Sequence, residues 1–355
     1  MNDARPNSAM LTAWLRLAQG LSRSKARQWL KACGHDVQRA ASELPPLDEE
    51  GSKRIAASLR WLDQAPDRHL LTLADADYPG PLLHGPDPPL ALFLEGQRSQ
   101  LGRPAMAIVG SRHATPNGLE LAEQFGEQIA AAGWVVVSGL ALGIDGAAHV
   151  GALRAGSTWA VLGCGLDQIY PPRHRALAQR IRADGLLVSE YPPGTPPLPA
   201  QFPVRNRLIA ALSQGCLVVE AALRSGSLIT ARLAAEAGRE VFALPGPIRS
   251  LQAQGCHELI QQGAKLVQSL QDILDELPPP APAPRIAAAP AAAPEEDPLL
   301  LALGHEATGL DKLQSRLGWA TGEVLARMLE LELAGRVQRL PGDRFVRVFQ
   351  GGFAP

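Results

Sequence analysis

The 355-residue sequence is short of several things at once. Aromatic residues make up 5% of it, so its cores must be built mostly from Ala, Leu and Val. Lysine stands only at Lys25, Lys31, Lys53, Lys265 and Lys312, and the other basic residues are arginines, which carry a forked phosphate-binding group. A formal net charge of −1 excludes a globally basic nucleic-acid coat and leaves room for a local basic cleft. The four cysteines, Cys33, Cys164, Cys216 and Cys256, form no CxxC pair, and a chain of this length needs no disulfide staples. No run of about 18 apolar residues occurs, which excludes a membrane-spanning helix. The opening MNDARPNSAM lacks a basic segment ahead of an apolar one. A cytoplasmic protein in a reducing compartment, with no membrane contact, is expected.

Catalytic signatures are missing as well. No GxxxxGK motif followed by Ser or Thr occurs, which argues against P-loop nucleotide hydrolysis. Gly163-Cys164-Gly165 has Gln168 where a dinucleotide fingerprint needs its third glycine. There is no GxSxG elbow. His113, His149, His174 and His257 lack zinc-ligand spacing. No catalytic residue, metal or cofactor is expected, and Cys164 reads as a small apolar filler.

Alternation organises what is present. Apolar runs at 105–110, 134–139, 158–165, 186–190, 216–221 and 240–246 read as strands, with helical segments between them. Continuous Val/Ile/Leu runs suit strands buried on both faces, so residues 66–277 read as a doubly wound, mostly parallel α/β domain. Residues 1–65 read as a small helical domain of the helix-hairpin-helix or sterile-alpha-motif type, with Ser22 or Ser24 capping a helix that Gly34 stops. Residues 278–298, PPPAPAPRIAAAPAAAPEEDP, read as a semi-rigid linker. Residues 299–355 read as helices plus a hairpin turning at PGD, a winged-helix pattern. The helix in the recognition position, 321–334, carries Glu323, Glu330 and Glu332 against Arg327 alone, which favours protein contact over a phosphate backbone. Arg336, Arg339, Arg344 and Arg347 leave a basic wing.

The strand ends carry the functional signal. The first run enters Gly110-Ser111-Arg112, and the second enters Ser138-Gly139 with Gly143 opening a helix. The run at 216–221 enters Arg224-Ser225-Gly226-Ser227, with Thr230 one turn on. Glycines let a backbone approach closely, and helix N-termini offer free N–H groups to an anion. Arg112 and Arg224 on one rim would make a phosphate site. Arg173, Arg205, Asn206 and Arg207 add to it, although Arg205 and Arg207 could equally brace a loop through Glu190 or Glu220. Phe202, Tyr170 and Tyr191 are the aromatic candidates for base stacking.

These strings resemble a known family. VGSR (109–112), SGLALGIDGAAHVGAL (138–153), FPVRNRLIAALS (202–213), VVEAALRSGSLITARLAAEAGREVFALPG (218–246) and the upstream DYPGPLL and DPPLALFLEG look like the DNA-processing protein A family, DprA/Smf. The resemblance implies an extended Rossmann-like fold and a single-stranded DNA binder with no enzymatic activity. It further implies protection of incoming DNA in natural transformation, loading of the RecA recombinase onto strands coated by single-strand-binding protein, and action as a homodimer. Arg112, Arg224 and the Ser225-Gly226-Ser227 turn would meet phosphate. The alternative is a LOG-like nucleotide phosphoribohydrolase or a nucleotide-sensing domain. The former needs a PGGxGTxxE turn, where this chain has LRSGSLITA.

Overall fold

The computed structural model describes residues 8–83, 85, 87–277, 297–303, 308–333, 337–340 and 344–347. The expected linker residues 278–296, the PGD turn, Arg336, and the side chains of Arg339 and Arg347 lie outside the described set. The chain divides into two compact units, residues 1–283 and 284–355.

The first unit opens with four helices: α1 (Ser8–Gly20), α2 (Arg23–Ala32), α3 (Val37–Ser42) and α4 (Glu49–Asp63). Ser22 stands at the N-cap of α2, and Gly34 follows its end with φ +70°. The Asp36 carboxylate accepts from the Gln38 and Arg39 amides ahead of α3, and Asp48 accepts from Gly51 N at 2.7 Å ahead of α4.

A nine-stranded sheet follows. Its strands are β1 (Arg68–Thr72), β2 (Ala91–Gly96), β3 (Ala105–Val109), β4 (Val135–Ser138), β5 (Thr158–Leu162), β6 (Leu186–Ser189), β7 (Gly215–Val218), β8 (Glu240–Ala243) and β9 (Lys265–Leu266). The helices of this unit are α5 (Gly80–Leu83), α6 (Pro116–Ala131), α7 (Ile144–Ala155), α8 (Arg175–Asp184), α9 (Gln201–Leu212), α10 (Ser227–Glu236), α11 (Gln254–Gln261) and α12 (Leu270–Leu274). Spatial order is β1-β2-β6-β5-β4-β3-β7-β8-β9. Strands β3 to β9 pair in parallel, while β1 and β2 form an antiparallel edge on β6. The six apolar runs become β3 to β8. The edge strands β1 and β2 and the two-residue β9 are additions to those six runs.

Alternate side chains of β3 feed opposite faces. Ala105, Ala107 and Val109 join one hydrophobic cluster, and Met106 and Ile108 join the other with α6 and α7. A third cluster joins the N-terminal helices to the sheet. Trp14, Leu15, Leu17, Trp61 and Leu62 share it with Leu70, Phe93, Ala160, Leu162 and Leu187. The four-helix segment is therefore packed into the α/β unit rather than tethered to it. Ion pairs reinforce this contact: Arg23 reaches Asp87 at 2.6 Å and Glu190 at 3.0 Å, and Arg27 reaches Asp87 at 3.2 Å.

The second unit contains α13 (Pro298–Leu303), β10 (Thr308–Gly309), α14 (Leu310–Leu317), α15 (Thr321–Leu333), β11 (Val337–Leu340) and β12 (Arg344–Arg347). The strands order as β10-β12-β11. Leu299, Leu303, Leu313, Val324, Met328, Leu331, Val337 and Phe345 make its core. The helices and hairpin match the winged-helix expectation, with one short extra strand. On α15 the lone cation, Arg327, is tied to Asp297 at 2.6 Å and to Glu330.

Candidate functional site

The chain runs from β3 outward to β6 and then returns to lay β7 against the other side of β3. That reversal opens a crevice beyond the carboxyl ends of β3 and β7, the usual ligand position in such sheets. A cleft of about 530 Å³ occupies it. Gly110, Ser111, Arg112, Arg205, Asn206, Arg224, Ser225, Gly226, Ser227 and Thr230 all line it. Residues separated by more than a hundred positions are thus gathered at one switch point.

Arg112 and Arg224 are exposed on the two sides of this cleft, and neither is ion-paired to a described residue. The Arg112 guanidinium lies 5.5 Å from the centre of the Phe202 ring, a cation–π contact. The Phe202 ring in turn lies 5.7 Å from that of Tyr170, tilted by 40°. Arg112, Phe202 and Tyr170 therefore form a stacked ledge along one wall. Tyr191, the third aromatic candidate, does not line the cleft.

The opposite wall is the N-terminus of α10. No acidic residue stands in its first turn, so its amide end keeps its partial positive charge. Ser225 Oγ and Ser227 Oγ share a hydrogen bond of 2.6 Å, and Asn206 Nδ2 donates to Gly226 O at 3.3 Å, which fixes the turn. The N-terminus of α6 differs. There the Glu220 carboxylate accepts from Thr115 N at 2.9 Å and from Thr115 Oγ1 at 2.6 Å. An internal carboxylate already occupies that anion position, whereas at α10 only the neutral Ser225 hydroxyl and carbonyl accept from the first amides, Ser227 N and Leu228 N.

The floor is made of buried charge. FPVRNR lies within the first turns of α9 (Gln201–Leu212), and helical periodicity splits its polar residues. Asn206 faces the cleft. Arg205 turns inward, only 4% exposed, and its guanidinium donates to Val161 O. Burial, with Arg112 nearby, pushes its pKa down to about 10 against the pull of Asp145. Gly139 supplies the space, since a Cβ there would overlap the guanidinium. Asp145, also buried, accepts from Gly139 N at 3.0 Å, and burial raises its pKa. It is the one acidic side chain among the described cleft residues, against three arginines.

Five expected residues stand outside the lining because they do other work. Ser138 is fully buried and donates to Ile108 O at 2.6 Å, tying β4 to β3. Gly139 and Gly143 shape the floor and the loop, and Gly143 has φ +77° and abuts the Ser111 carbonyl. Arg207 pairs with Glu190 and donates to Asp87 O at 2.9 Å, so it ties α9 to the same acidic residues that Arg23 of α2 reaches. Arg173 is exposed in a short 3₁₀ turn beyond the rim. Asp145, His113 and Gln252 line the cleft without having been singled out. Asp145 was visible as an acid opening a helix, but only the fold places it beneath Arg205.

Cys164 matches its reading as filler: it is buried, donates to Gln168 O, and its pKa is pushed up to about 11, mainly by burial. Among the described residues no group of His, Cys, Asp and Glu has metal-site geometry, and no helix is long and apolar enough to cross a membrane.

Fold and site together define a doubly wound α/β protein with a cationic cleft at its switch point and a winged-helix unit appended. The chain belongs to the DNA recombination-mediator protein A family, DprA/Smf, whose pattern matches residues 69–278, and the DprA winged helix domain matches residues 278–343. It is 46% identical over 309 residues to protein Smf of Escherichia coli, covering 83% of this chain and 81% of that one. It is 44% identical over 239 residues to DNA processing protein DprA of Streptococcus pneumoniae, covering 64% and 84%. The crystal structure of the Streptococcus pneumoniae protein superposes with a TM-score of 0.65 at 38% identity, over 77% of this chain and 98% of that one. A Helicobacter pylori DNA processing protein A, described for its single-stranded DNA binding mode, gives a TM-score of 0.54 at 34% identity, over 59% and 95%.

Proposed function

We propose that this protein binds single-stranded DNA in the switch-point cleft and acts as a recombination mediator rather than as an enzyme. It would shield incoming strands during natural transformation and load RecA onto strands coated by single-strand-binding protein, acting as a homodimer in the cytoplasm. One observation carries the binding reading: two exposed arginines with no ion pair among the described residues flank a helix N-terminus that holds no carboxylate, with an aromatic ledge beside them. Phosphates would meet Arg112, Arg224 and the α10 amides, and bases would stack on Phe202 and Tyr170. The single-strand binding described for the Helicobacter pylori relative supports the choice of ligand. The family's description as a mediator of recombination supports the RecA role.

Fluorescence anisotropy with labelled oligonucleotides across a salt series tests the binding. Affinity should fall with salt at a log–log slope of about −0.7 per neutralised phosphate. Arg112→Ala and Arg224→Ala should each cost about tenfold to a hundredfold and flatten that slope. Arg112→Lys should recover part of the loss, since lysine keeps the charge without the fork. Arg60, exposed on α4, serves as the control. Unchanged binding by both alanine variants, or equal damage from Arg60→Ala, overturns the reading.

A further inference from the structure

The most exposed large apolar side chains of the described chain stand together on one loop. Ile248 is 84% exposed and Leu251 is 69% exposed, with Arg249 also exposed between them. A flexible surface loop carries such residues without consequence, but this loop is built. Ser250 N donates to Pro247 O at 2.9 Å, and Ala253 N donates to Ser250 O at 3.1 Å, closing two successive turns. His257 Nε2 donates to Gly246 O at 3.0 Å at one end, and Ala221 N donates to Gln252 O at 2.7 Å at the other. Pro245 and Pro247 restrict the backbone further. A Cβ on Gly246 would come within 2.7 Å of Ala253, so the base of the loop is closed tightly. The fold therefore holds two large aliphatic side chains rigidly in water.

Their position says what they meet. Gln252, the next residue, lines the cleft, and so do Ala222 and Arg224 on either side of exposed Leu223. The loop thus continues the rim on the Arg224 side, opposite the Phe202–Tyr170 ledge. In a single-strand track cations hold phosphates and aromatic faces stack on bases. Here aliphatic side chains stand beside the arginines in that place. Leu and Ile also act as wedges between bases in nucleic-acid complexes.

We propose that Ile248 and Leu251 form a second, aliphatic base-contact subsite, which receives nucleobases of a strand leaving the cleft past Arg224. This rests on the single-strand reading above and assigns the strand its path. The test uses full-length protein and labelled strands of about 20 nucleotides, longer than one binding site. One strand carries bases throughout; the other has the same phosphates but abasic sugars on one flank, with both polarities made. Wild type should bind the fully based strand about five- to tenfold more tightly than one of the two abasic strands. The Ile248→Ser/Leu251→Ser double variant should bind the two alike, with the salt slope unchanged. Both side chains are exposed, so thermal unfolding should match wild type.

A double variant that keeps the full preference for the based flank overturns the proposal. So does a variant whose DNA binding is unchanged but whose sedimentation shifts, since the loop is then a protein contact. Failure of wild type to bind any strand is the separate outcome that sinks the cleft reading itself.

Discussion

Arg112 and Arg205 are both arginines of one cleft, yet they do different work. Arg112 is exposed and unpaired, lying against an aromatic face, and so is free to meet an anion. Arg205 is buried on the floor above Asp145, where it holds β5 to α9 through Val161 O. A buried cation is costly unless its surroundings compensate it, and here the Val161 carbonyl and the field of Asp145 do so, which makes Arg205 part of the architecture of the site. A second buried group makes the protein sensitive to acid. Thr158 Oγ1 donates to Val136 O, so its single proton is committed, and His149 Nδ1 must donate to Thr158 at 2.7 Å. His149 Nε2 then has no partner, and burial, followed by the positive fields of His174 and Arg205, pushes the pKa from 6.5 down to about 3. The unfolded chain takes up the proton first, so this group's contribution is intact above pH 6.5 and is lost progressively as pH falls toward about 3. The loss should reach on the order of 4 kcal/mol at the acid end. Urea unfolding at a series of pH values should show a steeper acid loss in wild type than in His149→Leu; parallel curves would show that His149 does not cause it.

At the level of elements, two glycine turns on the same rim respond oppositely to a methyl group. Gly143 opens α7 at φ +77°, and a Cβ there would overlap the backbone carbonyl of Ser111, so the loop carrying Arg112 and the start of α7 are packed against each other. Gly226 precedes α10 with ordinary helical angles and open space around its Cα. Gly143→Ala should cost about 2–4 kcal/mol and displace Arg112, weakening strand binding with it. Gly226→Ala should stay within about 0.5 kcal/mol of wild type. Thermal melts of the two variants check this, and equal Tm losses would contradict the packing argument. The helix ends differ in charge as well: Glu220 fills the start of α6, while the start of α10 carries no acidic residue.

At the level of the whole molecule, the hydrophobic clusters say which parts stand alone. The core of the second unit draws only on residues 299–345. A chain ending at residue 283 should therefore fold and bind single strands within about twofold of full length, as expected for independent parts. The N-terminal helices are different, because Trp14, Leu17 and Trp61 share a cluster with Leu70, Phe93 and Leu162 of the sheet. Deleting residues 1–65 should expose that apolar surface and yield insoluble protein. Expression and anisotropy of the two truncations test both statements; a soluble, active chain starting at residue 66 would contradict the second.

Much of this was legible in the sequence, for identifiable reasons. Strands buried on both faces read as unbroken apolar runs, so β3 to β8 and the parallel sheet followed from pattern alone. The edge strands β1 and β2 lie outside the strand–helix alternation that marks the parallel sheet: β2 has an apolar run at 90–94, but only its antiparallel pairing with β6, and that of β1 with β2, makes the two an edge of this sheet. The turn residues Arg112 and Ser225 to Ser227 were legible because two Gly-Ser turns, each beside an arginine, end strands of one sheet, whereas Ser138-Gly139 at the end of β4, with no arginine next to it, is structural. Helical phase decided the fate of Arg205, Asn206 and Arg207: three adjacent residues on α9 point to the floor, the cleft and Glu190. Sequence proximity carries no information about those three directions. Likewise the Glu220 carboxylate at the start of α6, and Asp145 beneath Arg205, arise from contacts between segments far apart in the chain. The sequence by itself determined which elements form and which residue types end them. The tertiary structure alone decided which charges face water and which face each other, because burial and pairing are set by what the folded chain places alongside.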